Sequence, residues 1–277
     1  MQWAGIDITA PVVMGILNVT PDSFSDGGDF LNIEIARQHA EAMCQAGAKI
    51  IDIGGESTRP GAVMPSIDEE IARIVPVIAA VLPIVRQYDV RISVDTRCAA
   101  VMMAAHAVGA DIINDISALT YDVTALSFVA QHQLPVVLCH MQGTPQTMQR
   151  NPVYADVVAE VCDYLAARIA ACEQAGLARD KIAVDPGIGF GKTTAHNIAL
   201  LQNLIEFKKL NVPILVGVSR KRFIADITGA DAPKSRLAGS LVSGLFAISR
   251  GANILRVHDV RETVEAVRMW RVLADDR

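Results

Sequence analysis

"PVVMGILNVTPDSFSDGG", residues 11–28, is the stretch that decides the fold. Its apolar run from Val12 to Leu17 has no polar alternation, so it reads as a strand covered on both faces rather than one with a wet side. The run stops at Asn18 and passes into a loop containing Pro21, Phe24, Asp22, Asp26 and a glycine pair. That is more polar chemistry than a simple turn needs, and it places functional side chains at the carboxyl end of a buried strand.

Outward from this stretch the same unit recurs. Short β-branched runs, "KIIDIGG", "RISVD", "DIINDIS", "PVVLCHM", "IAVDPG", "PILVGVS" and "NILRVHD", bring the strand candidates to eight. Between them lie alanine-rich stretches with helical spacing, among them "IEIARQHAEAMCQAG", "DEEIARIVPVIAAVLPIV", "TRCAAVMMAAHAVG", "VVAEVCDYLAARIAACEQAG", "AHNIALLQNLIEFKKL" and "DVRETVEAVRMWRVL". Several end in Gly just before the next strand, as a helix terminus should. Eight strand and helix units in 277 residues fit a closed parallel barrel better than an open doubly wound sheet. The expected architecture is therefore α/β: one (β/α)8 TIM barrel spanning residues 1–277, with long loops after strands 1, 2, 5 and 7.

Composition narrows the class. Apolar residues make up 51% and charged residues 20% of the chain, enough for a large core and unlike a disordered segment. A net charge of −5 gives no general field for nucleic acid or an anionic membrane, so any anion site must be local. The most apolar stretch, "IARIVPVIAAVLPIV", is interrupted by Arg73, Pro76 and Pro83, and the N-terminus lacks the regions of a signal peptide. We expect a cytoplasmic location and no nucleic-acid or membrane partner. Five irregularly spaced cysteines suggest neither a disulfide framework nor a zinc site.

In a parallel barrel, function gathers where the strands end. There the sequence places Asn18, "GGESTRPG", Asp95, Asn114, His140, Asp185, "SRK" and the pair Arg256 and His258. Asp or Asn at one such end often just caps the next helix. All strands showing polar ends together argues for a site. "GIGFGKTT" at 187–194 fails the P-loop pattern, which needs Gly where Pro186 stands, and fails G-x-G-x-x-G because Lys192 takes the last position. Its glycines instead let backbone approach a ligand, with Phe190 available to stack on a flat ring. Ser219, Arg220 and Lys221 after strand 7, with Arg256 and His258 after strand 8, suit a diphosphate. Asp95, Asn114 and Asp185 suit the edge of a nitrogen-rich heterocycle.

Taken in order, "MGILNVTPDSFSDGG", "IDIGGESTRPGA", "SVDT", "INDIS", "CHMQGTPQTMQ", "DPGIGFGKTTAHN", "GVSRK" and "RVHDVRET" resemble the signature segments of the dihydropteroate synthase family. The resemblance covers nearly the whole chain. It implies a homodimeric barrel, a target of sulfonamides, that condenses 7,8-dihydropterin-6-ylmethyl diphosphate with 4-aminobenzoate. By position it implies that Asp95, Asn114, Asp185, Phe190 and Lys221 hold the pterin. It likewise implies that Thr58, Arg59, Arg256 and His258 face the diphosphate, that Phe24, Pro60 and Ser219 enclose the aminobenzoate, and that Asn18 takes part in binding Mg2+. Asp95, Asp185, Lys221 and Arg256 are the expected catalytic groups. Cys139 and Ile188 stand where the family often has methionine and a second aromatic. A pterin-dependent methyltransferase would share the barrel and the acid and amide set, but it needs no diphosphate site, and "STRPG", "SRK" and "RVH" favour the synthase.

Overall fold

The computed structural model describes residues 1–19, 29–56 and 64–274, the side chains of 29–31 excepted. A short antiparallel hairpin, β1 (Gln2–Trp3) and β2 (Ile6–Asp7), precedes eight parallel strands. These are β3 (Val12–Asn18), β4 (Ile50–Gly54), β5 (Arg91–Asp95), β6 (Ile112–Asp115), β7 (Val136–Cys139), β8 (Ile182–Asp185), β9 (Leu215–Val216) and β10 (Ile254–Val257). They pair in the order β8-β7-β6-β5-β4-β3-β10-β9, and a parallel bridge between Val184 and Ile214 joins the two ends into a barrel. All eight are the strands expected from the sequence.

The helices are α1 (Asp29–Ala46), α2 (Ile67–Gln87), α3 (Ala99–Ala107), α4 (Ala125–Gln131), α5 (Val157–Gln174), α6 (Thr194–Gln202), α7 (Arg222–Thr228), α8 (Leu237–Ser249) and α9 (Val260–Ala274). They cover the barrel wall with the other half of each strand's side chains, so Val13, Leu17, Ile51, Ile53, Val94 and Leu138 join one core with Ile74, Ile78, Val81 and Leu165. Helix α2 runs on through Pro76 and Pro83 because Ile74, Val77, Ile78, Val81, Ile84 and Val85 bury a continuous face, which outweighs two lost backbone donors. Ser66 and Glu69 close its N-terminus as a reciprocal capping box. The stretch expected as one helix over 195–210 divides at Asn203, whose side chain takes the Ala199 carbonyl at 2.9 Å, and continues as a 3-10 turn over Leu204–Leu210.

Inside the barrel, Met14, Ile50, Ile112, Val137, Ala183, Leu215 and Ile254 form a second, smaller core that the hairpin closes from below with Trp3, Ile6 and Ile8. The Trp3 indole donates to the Lys181 carbonyl at 3.1 Å, and Arg91 Nε donates to the Ala4 carbonyl at 3.3 Å. With the hairpin covering the amino end of the inner core, the barrel interior opens at the carboxyl ends of the strands. Of the connections there, the one from β7 to α5 spans 140–156 without a helix, whereas the one from β9 to α8 is built around α7 and a 3-10 turn at Pro233–Arg236.

Candidate active site

Strand register sets the first half of the site. Asn18 pairs with Gly54, Gly54 with Asp95, and Asp95 with Asn114, so three expected residues stand at one level of the rim. Beneath them lies a residue the sequence reading passed over: Asp52, in the middle of β4 and 0% exposed. Its Oδ2 accepts from Asn114 Nδ2 at 3.0 Å and from Arg256 Nε at 2.5 Å, while Arg256 Nη2 donates to Asp95 Oδ2 at 2.6 Å. Arg256 thus ties β10 to β4 and β5 across the barrel. A lone acid inside the apolar run "KIIDIGG" was the available signal, because a buried carboxylate demands a partner.

Asp185, at the end of β8, builds the second half. Its Oδ1 accepts from Gly187 N at 2.7 Å, starting a tight turn through Gly187, Gly189 and Gly191, all at positive φ. Lys221, at the start of α7, donates to the Ile188 carbonyl and lies with its Nζ 4.5 Å from the centre of the Phe190 ring. The turn is pressed against the strand exit: a Cβ on Gly187 would fall 1.8 Å from the His140 carbonyl oxygen. Ile188 is fully buried in the outer core, so it contributes its carbonyl to Lys221 and no side chain to the cleft.

Beside Lys221, the Ser219 hydroxyl accepts from the His258 N–H at 3.1 Å and lies 3.1 Å from His258 Nδ1, joining the ends of β9 and β10. Arg220 departs from its expected part in an anion cradle. Its guanidinium is bidentate on Asp259 and its N–H donates to Ser240 Oγ at 2.9 Å, contacts that hold its backbone at φ 58°. It fixes the turn that presents Ser219 and Lys221.

Burial raises both Asp95 and Asp185 above the ordinary carboxylate range. For Asp95 the neighbouring Asp52, Glu56 and Glu70 add to the rise and Arg256 opposes it. For Asp185 the opposing groups are Lys221, the Gly187 N–H, Lys192 and Arg256. Burial lowers Lys221, against the pull of Asp185. Burial also works against the charge on Arg256, but Asp52 and Asp95 outweigh it and hold the guanidinium protonated. The cleft therefore combines acids that take up a proton easily with one permanent cation and one adjustable cation.

A buried clamp borders this ring. Arg97 is bidentate on Glu56 at 3.1 and 2.7 Å and lies 4.1 Å over the Tyr121 ring, tying the exits of β4, β5 and β6 together. Phe24, Thr58, Arg59 and Pro60 lie outside the described residues. Among the described residues no group of three His, Cys, Asp or Glu side chains could hold a metal ion, and no helix is long and apolar enough to cross a membrane.

A sealed parallel barrel with an acid and amide edge, an aromatic face and cations at the strand ends defines an enzyme that grips a flat, hydrogen-bonding ring beside an anion. The sequence pattern of pterin binding enzymes matches residues 14–258. The chain belongs to that family and, within it, to the dihydropteroate synthases: it is 52% identical to the dihydropteroate synthase of Escherichia coli K12 over 97% of this chain and 93% of that one. The dihydropteroate synthase of Xanthomonas albilineans solved with 4-aminobenzoic acid superposes with a TM-score of 0.90 at 46% identity, covering 99% of this chain and 98% of the other. The same enzyme in complex with 7,8-dihydropteroate superposes at 0.87 and 44% identity, covering 97% and 95%.

Proposed function

We propose that the chain joins 7,8-dihydropterin-6-ylmethyl diphosphate to 4-aminobenzoate, forming 7,8-dihydropteroate and diphosphate, a step of folate biosynthesis. The observation that carries this reading is the strand-end constellation: Asp95, Asn114 and Asp185 on the acid and amide side, with Lys221 over Phe190 between them and the diphosphate side. The ionised Asp95 and Asp185 accept from the N–H groups of the pterin, Asn114 both donates and accepts, and Phe190 packs near the ring.

The C–O bond to diphosphate breaks with its electron pair leaving on oxygen, and positive charge spreads into the pterin. Asp95 and Asp185 stabilise that charge, while Lys221, Arg256 and His258, with Thr58 and Arg59, stabilise the departing anion. The amine lone pair of aminobenzoate then attacks the methylene carbon and the nitrogen loses a proton to solvent water. Because this amine is neutral and weak, Phe24, Pro60 and Ser219 serve by holding it in line. Asn18 offers one neutral oxygen, so it would hold Mg2+ only together with oxygens from diphosphate and water. When bound there, Mg2+ supplies neutralisation of the leaving group's charge.

The test mixes purified protein, Mg2+, the pterin diphosphate and 4-aminobenzoate and measures dihydropteroate and diphosphate. Stoichiometric appearance of both is the expected result, and a folded protein that forms neither overturns the proposal. Diphosphate release without aminobenzoate further supports the dissociative order. We also propose a homodimer through the last helices: Ile227 on α7, Val242 on α8 and Met269, Val272 and Leu273 on α9 are exposed apolar residues, and α8 packs against both α7 and α9.

A further inference from the structure

Lys192 has no part in the reaction as drawn above, yet it is 3% exposed, a place where lysine is rarely found without a partner. Its Nζ has three neighbours that can accept: His140 Nδ1 at 2.9 Å, the Phe190 carbonyl at 3.0 Å and the His140 carbonyl at 3.4 Å. Three N–H groups meet three neutral acceptors, and none of the recorded contacts is a carboxylate. Each acceptor belongs to the pterin side of the site. The Phe190 peptide carries the ring beneath Lys221, and His140 is the strand-exit residue against which the Gly187 turn is pressed. His140 N also bonds the Asp185 carbonyl at 3.0 Å.

We infer that Lys192 is a positioning residue for pterin binding: its ammonium pins the Phe190 peptide to His140 and adds a third cation near Asp185, after Lys221 and Arg256. This rests on the reading of the site as a pterin pocket. Removing the cation would release the 187–191 turn from β7 and leave Asp185 facing only Lys221, Arg256 and the Gly187 N–H, with Cys139 alongside. Below about pH 7 protonation agrees with the geometry. Burial, and then Lys192 itself, lowers His140 to about 3, so the imidazole is neutral and Nδ1 is free to accept. Burial lowers Lys192 to about 7, against the pull of Cys139 and Asp185 and with Lys221 adding to the fall.

The experiment compares wild type, Lys192→Met and Lys192→Gln in steady-state kinetics across pH, with a thermal melt of each as a folding control. For Lys192→Met we expect KM for the pterin diphosphate to rise about tenfold while KM for 4-aminobenzoate stays within about twofold. The acid limb of kcat/KM for the pterin should move up by about half a pH unit, because Asp185 loses a nearby cation. Lys192→Gln keeps an N–H donor without the charge, so it should recover part of the KM while retaining the shifted limb. A Lys192→Met enzyme with wild-type KM and limb overturns the assignment; should that variant not fold, Lys192→Gln with an unshifted limb does so. Wild type that forms no dihydropteroate overturns the reading of function instead.

Discussion

At the scale of single residues, the site is governed by what burial does to charge. Arg256 illustrates it. A cation serving an anion site alone could be removed without cost to the fold. The guanidinium does more, because it neutralises Asp52, which is wholly buried, and also holds Asp95. Removing one partner of a buried pair leaves an uncompensated charge, and Arg256→Ala should lose activity and also about 3 kcal/mol of stability, read by denaturant unfolding. Asp95 and Asp185 lead to a second expectation. Both are raised in the folded enzyme, chiefly by burial, and both offer two acceptor oxygens and a negative charge to the pterin only when ionised. Activity should therefore fall as pH drops through their raised values, at a higher pH than an ordinary carboxylate near about 4 would give. Stability runs the other way. Folded protein holds these protons more tightly than the unfolded chain, so this contribution declines as pH rises from the ordinary to the raised values. A pH–rate profile and urea titrations at several pH values check both signs.

At the scale of elements, all eight barrel strands were legible, as were α1, α2, α3, α5, α6 and α9, whereas α4, α7 and α8 were not among the stretches named as helices; the strand-end positions of Asn18, Asp95, Asn114, Asp185 and Arg256 followed from where apolar runs stop. The hairpin β1–β2 was not legible, since strands of two residues have no period to detect. Its importance comes from the place it fills, under the inner core of the barrel. Trp3→Ala should destabilise the protein by about 3–5 kcal/mol through the cavity it leaves, with little change in KM because the floor lies at the opposite end from the site. Equilibrium unfolding together with steady-state kinetics separates the two effects.

At the scale of the whole molecule, an acidic chain sets Lys221 and Arg256 among the strand-end acids on the open end of a barrel whose other end is closed by the hairpin. The exposed apolar side chains on α7, α8 and α9 lie outside that opening, and their burial against a second copy is the expected assembly. Sedimentation should give twice the chain's mass, and Val242→Asp, which places a charge on a residue 69% exposed, should shift the protein toward monomer. A monomer at all concentrations in wild type would remove that interface.

The amino-acid sequence by itself determined the number and order of the strand and helix units and the chemical groups at the rim, because both follow from local hydrophobic period and from where each run ends. Tertiary structure alone decided the partners. Asp52 and Arg256 are 204 residues apart, Lys192 and His140 are 52 apart, and Arg220 turns to Asp259 rather than to an anion. Closing the barrel sets strand register and brings distant side chains within 3 Å, and in that dry interior a charge needs a counter-charge or hydrogen-bonding partners; no local pattern in the chain encodes which they will be.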